Sequence, residues 1–103
     1  MPNGAEIWVL SKLNDLALRF GVTPIQADFD ITYREERLPP PNDGMYSLSI
    51  SGTDPGTEEA QSKLEQISKL LGLENGHRFF RDIDDMDDVV EAALKLAPRA
   101  RAR

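Results

Sequence analysis

Five carboxylates in seven residues, Asp82-Ile83-Asp84-Asp85-Met86-Asp87-Asp88, form the densest run of chemistry-bearing side chains in the sequence. Hard cations such as calcium and magnesium prefer oxygen ligands, which makes Asp82, Asp84 and Asp85 candidate metal ligands. A calcium-binding helix–loop–helix pattern needs a glycine at position six and a glutamate at position twelve. Counted from Asp82, those positions are Asp87 and Ala93, so the pattern is not met. The same acids stand where the start of a helix favours negative charge, and capping with dipole complementarity is the simpler account. The sequence calls for no metal and no other cofactor.

Acid–base and nucleophilic chemistry have fewer supports. His77 is the single histidine, placed after Gly76 in a turn and before Arg78. There is no cysteine for it to activate and no serine motif around it. Asp28 and Asp30 alternate with apolar residues, so on a strand their Cα atoms stand about 7 Å apart on one face. Thr32, Ser47 and Ser49 add hydroxyls to that face, a candidate ligand or partner surface. Acids on the wet side of a strand are equally common as solubilising residues. No glycine-rich phosphate loop, dinucleotide fingerprint or HExxH motif is present. An enzyme is the less favoured reading.

Charge is uneven along the 103 residues. The net formal charge is -6, yet Arg99, Arg101 and Arg103 close the chain without an acid, leaving nine bases against eighteen acids in residues 1–97. Such a body repels polyanions, which argues against nucleic acid or an anionic membrane as the main partner. The three terminal arginines are a candidate anion contact, with no aromatic residues interleaved for base stacking. The absence of cysteine removes disulfides and thiolate-held metals. No basic region precedes an apolar stretch at the N-terminus, and the longest apolar run, Ile7 to Leu10, is far short of a membrane span. A cytoplasmic protein is the expectation.

The elements that must position these groups can be read from periodicity. Ala27, Phe29, Ile31 and Tyr33 alternate with Asp28, Asp30 and Thr32; Tyr46, Leu48 and Ile50 alternate with Ser47, Ser49 and Ser51. Each run predicts a half-buried strand, and the pair predicts a hairpin. Its connection, Arg34 to Gly44, carries Pro39-Pro40-Pro41 and excludes regular structure. That run suits either a stiff connector or an extended recognition segment.

Three helices surround the hairpin. Asn3 and Glu6 resemble a capping box for the first, whose stripe is Val9, Leu13, Leu16 and Phe20, widened by Leu10 and Ala17 and stopped by Gly21. Ile7, Trp8 and Leu18 lie partly off that stripe. Trp8 closing the edge of the core is one account; the other is that Ile7, Trp8 and Leu18 meet a second copy. The second helix carries Ala60, Leu64, Ile67 and Leu71, capped by Asp54 or Thr57 and ended by Gly72. The third begins near Asp84 or Asp85, carries Met86, Val90, Ala93 and Ala97, and stops at Pro98. His77 to Arg81 is a further strand candidate without clean alternation.

The predicted architecture is therefore α+β, in the order α-β-β-α-(β)-α, with an antiparallel hairpin packed against three helices. One globular domain spans residues 1–97 and a flexible basic tail spans 98–103. The functional expectation is a small protein-interaction module that associates with itself or with an assembly. A ligand-binding or enzymatic domain using the polar face of the hairpin is the alternative, and nucleic-acid contact through the arginine tail is the third.

Overall fold

The alternating runs do pair. The computed structural model describes residues 4–23, 27–34, 45–51 and 58–98. In order, the elements are α1 (Gly4–Arg19), β1 (Asp28–Arg34), β2 (Met45–Ser51), α2 (Glu58–Leu71), β3 (His77–Phe80) and α3 (Ile83–Leu96). The three strands form one antiparallel sheet in the order β1-β2-β3, giving the α+β fold. Asn3, Asp54, Thr57, Arg99, Arg101, Arg103 and the connection beyond Arg34 lie outside the described residues. Among the described residues no helix is long and apolar enough to cross a membrane.

The sheet separates its two faces by residue type. Phe29, Ile31, Leu48, Ile50 and Phe80 turn towards the helices and belong to the core or pack against it. Leu13, Leu16, Leu48, Ile67, Leu71, Met86 and Val90 are fully buried, so each helix contributes its apolar stripe to one centre. The helices do not all lie flat on the sheet. α1 packs on β1 and α3 on β3, whereas α2 joins mainly through α3.

The third strand is shorter than the sequence suggests, ending at Phe80, and it is firmly paired: Tyr46 faces Phe80 and Ser49 faces His77. Asn75 and Gly76 both have positive φ, as a tight primed turn requires, and Glu74 and His77 exchange backbone hydrogen bonds across it at 2.9 and 3.0 Å. Arg78 occupies a core-side position, which is why the alternation looked broken. Its Nη1 donates to the carbonyl oxygen of Leu71 at 3.0 Å, and its guanidinium carbon lies 4.8 Å from the Phe80 ring centroid. The side chain thus meets an orphan carbonyl in the last turn of α2, where positive charge is favoured.

Side chains of α1 also bind α3. Lys12 Nζ reaches Asp87 Oδ1 and Glu91 Oε1, both at 2.7 Å, and Arg19 Nη1 donates to the Leu94 carbonyl oxygen at 3.1 Å. Moving forward along α1 therefore moves forward along α3, and the two helices run parallel. Hydrogen bonds from Lys12 to Asp87, and then to Glu91, hold the ammonium above its ordinary pKa.

Candidate functional site

The acidic run is absorbed by structure. Asp82 is the N-cap of α3: its backbone is extended and its Oδ1 accepts from the Asp85 amide at 2.8 Å. The helix begins at Ile83, earlier than the Asp84 or Asp85 start expected from the sequence, because Asp82 satisfies an amide of the first turn. Asp84 and Asp85 fall in that first turn, and Asp87 is taken by Lys12. Among the described residues no group of three or more histidine, cysteine or acidic side chains is arranged to hold a metal ion. Asp82→Ala should cost about 1 kcal/mol of stability, the usual value of such a cap. Urea unfolding checks this, and a change below a few tenths of that value would remove the cap from the account.

The polar sheet face assembles the residues expected of it. Register pairs Asp28 with Ser51, Asp30 with Ser49 and Thr32 with Ser47. β3 adds His77 opposite Ser49 and Phe79 opposite Ser47, two residues that sequence reasoning did not bring to this face. Their ring centroids lie 5.5 Å apart, edge to face. The period-two spacing of His77 and Phe79 was the available signal, but Arg78 and Phe80 between and beside them concealed which side faced the core. Asp30, Ser49 and His77 consequently stand in one row across three strands. Neighbouring strands are about 4.8 Å apart, so Asp30 and His77 are separated by roughly 10 Å with Ser49 between them. The side is open: Asp28, Asp30, Thr32, His77 and Phe79 are exposed. Two grooves formed by described residues lie elsewhere. One, of about 520 Å³, runs between Ile50, Leu64, Leu73 and Gly76; another, of about 590 Å³, lies among Phe20, Leu70, Leu96 and Pro98. Neither includes a hydroxyl or carboxylate of the polar sheet face.

The outer side of α1 is the third surface. Ile7, Trp8 and Leu18 are 56%, 65% and 57% exposed. Trp8 therefore does not close the core edge. That edge is closed by the Lys12 bridge to α3, and the Lys12 Nζ stands 5.6 Å from the Trp8 ring centroid. The three residues are also not one cluster. A helix turns about 100° per residue, so Ile7 and Leu18, three turns apart, lie within about 20° of one line. Trp8 lies about 100° round from Ile7, towards Lys12. Lys12 and Arg19 mark the side of α1 that faces α3, and the Ile7–Leu18 line is turned away from it.

Comparison with known protein families, with curated proteins and with solved structures gives no match to this chain.

Proposed function

We propose that this chain is a small protein-interaction domain whose first partner is a second copy of itself. The single observation that carries the reading is the exposure of Ile7, Trp8 and Leu18 on α1 while Val9, Leu13, Leu16 and Ala17 of the same helix are buried. The core stripe of α1 is already covered, so these side chains are surplus to folding. Leaving them in water forfeits apolar burial worth about 25 cal/mol per Å². A partner surface recovers it. The polar sheet face offers less support for small-ligand binding, because Asp28, Asp30, Thr32, His77 and Phe79 are exposed on it and line neither of the two grooves described above.

Sedimentation across the micromolar range tests the proposal. The wild-type chain is expected to form dimers, and Ile7→Lys with Leu18→Lys to weaken them by about tenfold or more, since central apolar contacts each carry over 1 kcal/mol. Circular dichroism should be unchanged, because both positions are exposed. A wild-type chain that remains monomeric throughout that range overturns self-association.

A further inference from the structure

We infer that the second copy pairs along the free edge of β1, antiparallel and centred on Ile31, with the Ile7–Leu18 side of α1 meeting its counterpart beside the joined strands. This rests on the self-association reading and specifies its surface.

The two sheet edges are not equivalent. Ile50 donates its backbone N–H to Gly76 at 2.9 Å, so even-numbered residues of β2 direct their backbone groups to β3 and odd-numbered ones to β1. Ser51, Ser49 and Ser47 therefore bond with Asp28, Asp30 and Thr32. Phe29, Ile31 and Tyr33 are left with N–H and C=O groups turned outward. Among the described residues β1 has one strand neighbour, β2. At the other edge, β3 has four residues and the outward groups of His77 are already used by Glu74. Among the described residues, the longer edge with outward backbone groups is the one open to another strand.

Antiparallel pairing of β1 with itself overlaps all seven of its residues in one register only, the one centred on Ile31. Antiparallel pairing centred on Ile31 matches outward residues with outward residues: Ile31 with Ile31, and Phe29 with Tyr33. It also sets position 28, an aspartate, against position 34, an arginine, and Asp30 against Thr32. Opposite charges directly across a sheet attract and like charges repel. A register centred on Asp30 would instead set two aspartates against each other. α1, the helix that carries the Ile7–Leu18 line, packs on β1, the strand that carries the free edge.

Charge reversal and mixing test the register. In full-length chains, Asp28→Arg alone sets arginine against arginine twice in each dimer, and Arg34→Asp alone sets aspartate against aspartate twice. Each should raise the dimer dissociation constant about tenfold, because an attractive cross-strand pair becomes a repulsive one at two sites. An equimolar mixture of the two variants should dimerise like wild type, as a heterodimer with both pairs restored. Within one chain the two positions are at opposite ends of β1 and cannot compensate for each other. Three outcomes overturn the register while leaving self-association standing: a wild-type dimer with both variants unaffected, variants weakened without rescue on mixing, or only Arg34→Asp weakened. The last would indicate strands slid to set Asp30 against position 34. A monomeric wild type removes both the register and the reading beneath it. Unchanged thermal unfolding of each variant establishes that the chains are folded.

Discussion

Truncating Leu48 to alanine is expected to lower the unfolding free energy by about 3 kcal/mol, within the usual range for a buried leucine. Leu48 lies at the middle of the central strand, with Ile31 opposite it on β1 and Arg78 on β3, and it is fully buried under the helices. A cavity there has little freedom to collapse, because both neighbouring strands are tied to β2. Native domains have only about 5–15 kcal/mol in total, so the loss is a large share. In a domain of this size it corresponds to roughly 15 °C in Tm. Ser47→Ala, one residue away on the opposite face, should change stability by no more than about 0.5 kcal/mol. Denaturant unfolding of both variants checks the pair. Equal small effects would mean that β2 does not divide core from solvent as described.

Replacing Arg78 with methionine should cost about 2 kcal/mol, although the new side chain keeps much of the packing. What is lost is a charged hydrogen bond to the Leu71 carbonyl and a positive charge at the end of α2. Gly72 makes a sharper test possible. Its φ is +67°, and a Cβ placed there would come within 2.5 Å of Arg78 Nη1. Gly72→Ala therefore strains the backbone by about 1 kcal/mol and also pushes the guanidinium from its acceptor. The two substitutions remove one shared interaction, so the double variant should be less destabilised than the sum of the singles by about 1 kcal/mol. Strict additivity in urea unfolding would show that Arg78 does not act as the cap of α2.

Much of this fold is visible in local pattern. The stripes of α1, α2 and α3 recur at helical spacing, and both strands of the hairpin alternate cleanly, so each element could be found without knowing its neighbours. Where the reading fell short, a distant partner decided the matter. Arg78 breaks the alternation of β3 only because its acceptor is a carbonyl of α2. Trp8 stays exposed off the buried stripe of α1, and on its side of the helix Lys12 makes the contacts with Asp87 and Glu91 of α3. The polar face was legible as Asp28, Asp30, Thr32, Ser47 and Ser49, but His77 and Phe79 join it through a strand pairing that no nearby residue announces. Asp82 was grouped with possible ligands because a cap and a cation ligand use the same oxygen chemistry. Only the Asp85 amide at 2.8 Å separates them.

The parallel course of α1 and α3 has an electrostatic consequence. Helix macrodipoles that point the same way place their positive ends together, and such an end would ordinarily draw a phosphate or carboxylate from solution. Here the chain supplies its own acids there: Glu6 in the first turn of α1, and Asp82, Asp84 and Asp85 at the start of α3. Those acids are in turn engaged from within, Asp82 by a backbone amide and, one turn on, Asp87 by an ammonium from the neighbouring helix. The carboxylates at the paired helix starts therefore outweigh the positive ends of the two dipoles. An anion in solution meets carboxylates at that end of the molecule, where two helix starts alone would have attracted it.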